Sequence, residues 1–352
     1  MPGRLRRTVR RLCPVLAVAA LTAGCGVPGV RDLIARLPHP TFATSTPAPL
    51  PPGTYQLLLE PQAGYQRQID LIRHATKSVR VAMYQLADDQ AVDALIDAHR
   101  RGLPTRVILD WAFRGRNVNT NAFDQLKGAG VQVIWAADRT IFHQKSIMID
   151  DTIAAIGSSN LVARWYPTAR DAWVIDTNAR DVAAMNTTFD SDFATGAPDR
   201  PFTPATTEQL VFSPDARRTF VDLIDGARKT LELTTESVRD WMVIEAVGDA
   251  VHRGVQCRMV VNSDQSQTDG VVAIRKAGCA VHLVPRTRDG LFMHLKMLAV
   301  DNTTVIVGSQ NLTTASLQFN RELSVKLDRH TASDAVTQLG ASFNRDFAAT
   351  SG

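Results

Sequence analysis

The sequence is poor in several things that would have settled its class at once. It has only 4 cysteines, and two of them, Cys13 and Cys25, lie in the first 25 residues. No Cys/His cluster has the spacing of a zinc site, so the sequence offers no metal centre and no cofactor motif. There is no apolar run of membrane-spanning length: Leu12 to Leu21 falls short of the ~20 residues that a bilayer needs. A polytopic membrane protein is therefore excluded, and 45% hydrophobic with 21% charged residues excludes disorder. A basic surplus is also missing once the ends are separated. Arg4, Arg6, Arg7, Arg10 and Arg11 supply five of the 39 Lys+Arg, and residues 1–25 hold no acid. The remainder carries 34 basic against 35 acidic residues. A phosphate-tracking surface rich in Lys and Arg is thus not expected.

What is present begins with an export pattern. Five arginines precede the apolar stretch, and Thr22-Ala23-Gly24-Cys25 follows it. Cys25 after Ala-Gly resembles the lipidation site of bacterial lipoproteins. Residues 1–25 are therefore read as a signal peptide, with Cys25 lipidated and the protein exported and membrane-anchored; plain secretion is the alternative. Residues 26–54, with PHPTFATSTPAPLPPG, suit an extended Pro/Ser/Thr-rich tether. Cys257 and Cys279 remain as an even pair in an exported chain. They open two expected strands and are read either as a disulfide or as two small buried hydrophobes.

The rest of the chain repeats itself. Residues 74–110 align with 226–262 at a constant offset of 152, placing Ala75 on Ala227, Gly102 on Gly254 and Arg106 on Arg258. Each copy reads strand, amphipathic helix, strand, and a second helix and strand follow. This alternation predicts an α/β fold with a parallel or mixed sheet, and Gly and Pro near 195–208 mark the join. The expected boundaries are domain 1 over 55–200 and domain 2 over 201–352.

The third element of each copy carries the chemistry. HQKSIMIDDTIAAIGSSN holds His143, Lys145, Asp150, Gly157, Ser158 and Asn160; HLKMLAVDNTTVIVGSQN holds His294, Lys296, Asp301, Gly308, Ser309 and Asn311. Both spell H-x-K-x4-D-x6-G-S-x-N. In a strand, His and Lys two apart share a face. Asp150-Asp151 and Asp301-Asn302 are turn pairs between apolar runs, so each motif is expected as a hairpin. A turn centred there puts Ser158 opposite His143 and Ser309 opposite His294. Lys, Ser and Asn all donate hydrogen bonds suited to phosphate oxygens.

This duplicated pattern resembles the phospholipase D superfamily, with the likeness running from about 55 to 350. The resemblance implies two tandem α/β/α sandwich domains related by a pseudo-twofold axis, with one active site between them. It implies His143 as nucleophile and His294 as general acid and base, an order that sequence symmetry alone leaves open. Lys145, Lys296, Ser158, Asn160, Ser309 and Asn311 would bind the phosphate. Asp171 and Glu322, each 28 residues after its motif His, would orient the imidazoles. Asp150 and Asp301 complete the catalytic motif, although seven residues of strand (~23 Å) from the His they read as turn and scaffold. Trp165 and Tyr166, after the first motif, are expected at the substrate mouth, and Phe292 and Met293 stand before the second motif; core packing or surface exposure is the alternative for each.

The function implied is hydrolysis of a phospholipid at a membrane surface, giving phosphatidate and a free head-group alcohol through a phosphohistidine, without metal or cofactor. The alternatives are a metal-independent endonuclease of the same superfamily, with nucleic acid as partner, and a cardiolipin synthase-like phosphatidyltransferase. A monomer is expected, since one chain holds both half-sites.

Overall fold

In the computed structural model, residues 50–197, 202–287 and 290–350 are described. The export signal, most of the tether and Cys25 lie outside the described residues. The first half contributes strands β1 (Tyr55–Glu60), β2 (Val79–Met83), β3 (Leu86–Ala87), β4 (Thr105–Leu109), β5 (Gln132–Trp135), β6 (Lys145–Ile149), β7 (Ile153–Gly157), β8 (Leu161–Val162) and β9 (Ala169–Asp176). The second contributes β10 (Leu210–Ser213), β11 (Thr230–Thr234), β12 (Gln256–Asn262), β13 (Ala280–Val284), β14 (Phe292–Met293), β15 (Lys296–Val300), β16 (Thr304–Gly308) and β17 (Glu322–Asp328).

The internal repeat becomes two sheets of the same design. One runs β1-β9-β7-β6-β2-β4-β5 and the other β10-β17-β16-β15-β11-β12-β13. In each, three strands are parallel (β2, β4, β5 and β11, β12, β13) and the rest join antiparallel, so both sheets are mixed. The helices after the first strand of each copy also match. Asp88 caps Asp89–Arg100 by accepting from the Gln90 amide (2.9 Å), and Asp240 caps Trp241–His252 by accepting from the Val243 amide (3.2 Å). Both helices end before a glycine with left-handed φ, Gly102 (85°) and Gly254 (90°), a conformation that costs a side chain with a Cβ.

The halves are not independently cored. A single apolar cluster joins Leu57, Ile108, Met148 and Val174 of the first half to Val260, Met297, Val307 and Val325 of the second. Two helices supply its middle layer: Ala179–Thr195 with Val182, Met185 and Phe189, and Ser333–Ala348 with Leu339 and Phe343. Each sheet's other face has its own cluster, beneath the remaining helices of that half. The architecture is therefore two α/β/α sandwiches sharing the central helices, and the connection between them falls between Thr195 and Leu210.

Cys257 and Cys279 are joined as a disulfide between neighbouring strand starts, with Cα atoms 4.6 Å apart. Among the described residues no helix is long and apolar enough to cross a membrane.

Candidate active site

Each motif is a hairpin, β6 with β7 and β15 with β16. The turns carry Asp150 and Asp151 at φ 57° and 60°, and Asp301 and Asn302 at 53° and 55°. Asp and Asn tolerate this left-handed region better than other non-glycine residues. The Asp150 carboxylate accepts from the amides of Thr76, Lys77 and Ser78, and Asp301 from those of Arg228, Lys229 and Thr230. Burial alone would raise both carboxyls, but these donors hold them below the ordinary range. Both aspartates thus tie the hairpin tip to the neighbouring strand at the end away from the histidines. Their place in a catalytic set is corrected: they are scaffold.

The hairpin register differs by one place from the expected one. Ser146 faces Ile156, and Lys296 faces Gly308, so each turn holds three residues. Continued outward, this register sets His143 beside Ser159 rather than Ser158. The Ser158 hydroxyl is buried and donates to Asp171 (2.5 Å) while accepting from the Ala172 amide. Ser309 is buried too and accepts from the Leu323 amide (3.0 Å). The two motif serines therefore hold the adjacent strand rather than facing the cavity, which corrects their reading as phosphate ligands.

The two halves meet through short parallel pairings. Phe292 and Met293 of β14 lie beside Ala169 and Arg170 of β9, and Phe142 bridges to Arg321. The His294 amide donates to the Arg170 carbonyl (3.2 Å), and the His143 amide to that of Arg321 (2.8 Å). Each histidine is thereby set beside the acid of the opposite half. His143 Nδ1 is 2.7 Å from Glu322 Oε2, and His294 Nδ1 is 2.9 Å from Asp171 Oδ1. Each expected acid meets an imidazole, but that of the opposite half rather than of its own motif. A carboxylate only accepts, so Nδ1 carries the proton and Nε2 of each neutral imidazole holds a free lone pair.

The lysines lie behind this pair. Lys145 Nζ donates to the His143 carbonyl and Lys296 Nζ to the His294 carbonyl, each at 2.5 Å, and both side chains are almost wholly buried. Burial lowers Lys145 to about 7 and lowers His143 to about 4, despite the attraction of Glu322. Glu322 is held below the ordinary carboxylate range: burial opposes this, but His143 and Lys145 outweigh it.

A cavity of about 470 Å³ opens over both histidines. Asn160 lines it, and its Oδ1 is buried with no hydrogen-bond partner among the described residues. Asn311 instead accepts from the Thr235 hydroxyl (3.1 Å). Trp165, Tyr166 and Phe292 line the cavity, as do Phe113, Arg114, Arg164 and Arg286. Arg114 lies over Phe113, Arg164 over Trp165, and Arg286 over Phe292, with guanidinium-to-ring distances of 5.6, 4.9 and 4.1 Å. Phe113 is 73% exposed and Trp165 42%.

Two site residues escape the motif reading. Tyr84 meets the His143 ring edge-on at 4.7 Å, and Lys145 Nζ lies 4.9 Å from its ring centre. Glu236 Oε2 lies 3.6 Å from both His294 Nε2 and Lys296 Nζ. The repeat alignment itself is the signal for both, since the offset of 152 puts Glu236 on Tyr84. Among the described residues no cluster of three or more His, Cys, Asp or Glu is arranged to hold a metal ion.

The sequence model of a family described as "Cardiolipin synthase, PLD-like domain" matches residues 68–193 and 220–347. Cardiolipin synthase A of Proteus mirabilis (strain HI4320) is 29% identical over 285 residues, taking in 68% of this chain and 58% of that protein. The Serratia proteamaculans (strain 568) protein of the same name is 27% identical over 310 residues, 74% and 62% of the two chains. The chain thus spans about six-tenths of the length of these relatives. In fold it is similar to phosphatidylserine synthase of Haemophilus influenzae Rd KW20, with a TM-score of 0.66 at 13% identity over 84% of this chain and 86% of that one. Polyphosphate kinase from Porphyromonas gingivalis gives 0.59 at 16% identity, over 84% and 50%. At these identities the two structures speak for the fold alone.

Proposed function

We propose that this chain, which belongs to the phospholipase D superfamily through two tandem domains of the cardiolipin synthase PLD-like type, is a phosphatidyltransferase. The observation that carries the reading is the composite site: two imidazoles on one cavity, each with Nδ1 on a carboxylate of the other half, backed by two buried lysines. The cardiolipin synthase relatives favour transfer over the hydrolysis expected from the sequence.

His143 is the nucleophile in this reading. Its Nε2 attacks phosphorus, and the His294 imidazolium gives its Nε2 proton to the leaving head-group oxygen. The phosphatidyl group then rests on His143, whose new positive charge Glu322 balances. An acceptor hydroxyl loses its proton to His294 and attacks phosphorus, and the P–N bond electrons return to His143. Lys145 and Lys296 supply positive charge to the phosphate, and Asn160 a donor; charge stabilisation in a partly dry site is worth more than in water. Low burial-induced basicity keeps His143 neutral, hence nucleophilic, throughout the neutral range.

A phospholipid at a membrane surface is the substrate proposed. The mouth pairs exposed aromatics with arginines, which suits the boundary of acyl chains and lipid phosphates. The protein would work as a monomer, exported and held at the membrane through Cys25. Mass spectrometry of the mature N-terminus tests the last point; a terminus that begins elsewhere contradicts it.

Purified protein incubated with phosphatidylglycerol vesicles tests the function. The expected products are cardiolipin and glycerol. Phosphatidate as the sole lipid product would return the reading to hydrolysis, and cleavage of single-stranded DNA with no lipid turnover would replace it by a nuclease.

A further inference from the structure

The two halves of the site are not chemically equivalent, and the difference lies at one pair of repeat positions. On the His143 side stands Tyr84, an aromatic ring against His143 and Lys145. On the His294 side stands Glu236, whose Oε2 is 3.6 Å from His294 Nε2 and from Lys296 Nζ. Those separations exceed direct hydrogen-bond length. The side chain is 39% exposed and lines the cavity, so its acceptor positions face the space a substrate enters. Burial would raise its carboxyl, but Lys296 and His294 outweigh that and hold it at about 2, so it is an acceptor only.

A carboxylate at this point is a poor neighbour for a phosphate oxygen and a good one for an O–H. It stands beside the nitrogen that exchanges a proton with the leaving or entering alcohol. The reacting alcohol oxygen must therefore approach within reach of Glu236. A simple alcohol has one hydroxyl proton, and His294 takes it. A polyol has a second hydroxyl about one hydrogen-bond length (~2.8 Å) from the first, a spacing comparable to the 3.6 Å between His294 Nε2 and Glu236 Oε2. One hydroxyl can then face Nε2 while its neighbour donates to the carboxylate. A cationic amino alcohol also satisfies a carboxylate, but it would enter a site already holding Lys296 and, at the mouth, Arg286.

We propose that Glu236 is a specificity-determining residue that accepts a hydrogen bond from a second hydroxyl of the acceptor, so that the site selects a neutral polyol over a simple alcohol. This rests on the transfer chemistry proposed above. In the step concerned, the O–P bond forms, the P–N bond to His143 breaks with its electron pair returning to Nε2, and the acceptor proton passes to His294. Glu236 takes part only by binding.

The test uses bis(p-nitrophenyl) phosphate, which loads the enzyme without needing a proton for the leaving group. The loaded enzyme is offered equimolar glycerol and 1-propanol, and the two phosphodiester products are quantified together. Their ratio is independent of how fast the enzyme is loaded. The wild type should favour glycerol by about tenfold, the scale of one hydrogen bond to a charged group that is partly exposed. Glu236→Ala should bring the ratio close to one, and Glu236→Gln, which keeps a weaker acceptor, should fall between. Equal products from the wild-type enzyme would overturn the proposal while leaving transfer intact, and need no variant to fold. Hydrolysis alone with either alcohol would overturn the transfer reading and this proposal with it. Ethanolamine matching glycerol against 1-propanol would assign the carboxylate to a cationic head group and overturn the choice of a neutral polyol.

Discussion

Replacing Glu322 by Gln separates the exchanged pairing from the one that sequence counting suggests. Glu322 is fully buried, with Oε2 2.7 Å from His143 Nδ1 and Oε1 accepting from Asn320 Nδ2 at 3.1 Å. The amide keeps the shape and removes the charge that balances His143 as it becomes a phosphohistidine. A hydrogen bond to a charged group is worth about 1.5–3 kcal/mol. At about 1.36 kcal/mol per decade, that is roughly a ten- to hundredfold slower formation of the covalent enzyme. The readout is the burst of p-nitrophenolate from bis(p-nitrophenyl) phosphate in stopped flow. Glu322→Gln should slow the burst itself. Asp171→Asn acts on His294, so it should leave the burst phase and slow the turnover that follows, where His294 must take a proton. Thermal melts of both variants verify that the fold is intact. A slowed burst in Asp171→Asn with a normal one in Glu322→Gln would refute the assignment of each acid to the opposite half's histidine.

Other expectations follow from the same geometry. In kcat/KM for bis(p-nitrophenyl) phosphate, whose leaving group needs no proton from His294, the acid limb should lie near pH 4, because His143 must be deprotonated to attack and is lowered to about 4; the alkaline limb should begin near 7 as Lys145 loses its charge. A bound phosphate diester stabilises the ammonium, so the alkaline limb of kcat should lie higher; coincident limbs would contradict this role for Lys145. Asp150→Ala removes the acceptor of three backbone amides and should cost about 2 kcal/mol in a denaturant titration, with KM unchanged. Converting Cys257 and Cys279 to Ser opens a link with a sequence separation of 22 and should lower stability by about 3 kcal/mol, visible as a drop in melting temperature of several degrees.

Local chemistry was legible in the sequence; what faces what across the molecule was not. The spacing of His143, Lys145 and Asp150, and its copy, identified hairpins, a shared His/Lys face and the family, because strand period and turn residues are local properties. The repeat at an offset of 152 foretold two sheets of one design. Partner exchange between Asp171 and Glu322 left no local trace. It arises from β14 pairing with β9 and Phe142 with Arg321, contacts between segments far apart in the chain. Ser158 was misplaced for a smaller reason: a three-residue turn shifts the register by one, and a one-place shift turns a side chain to the other face. The common core was hidden as well, since apolar alternation shows that a strand face is buried but not against which sheet. Glu236 carries no motif signal, because its importance lies where the two copies differ and not in what they share.

The proposed covalent route runs through His143 in a site assembled from both halves. Its most direct test is acid or denaturant quench of the enzyme during turnover of a labelled phosphodiester with a p-nitrophenol leaving group, which needs no proton from His294, kept cold and neutralised at once, followed by peptide mapping. A phosphoryl group is expected on the peptide carrying His143, present in the wild type and accumulating in His294→Ala. An adduct on His294 would reverse the roles of the two imidazoles, and no adduct in either protein during active turnover would mean direct attack on phosphorus, contradicting the account.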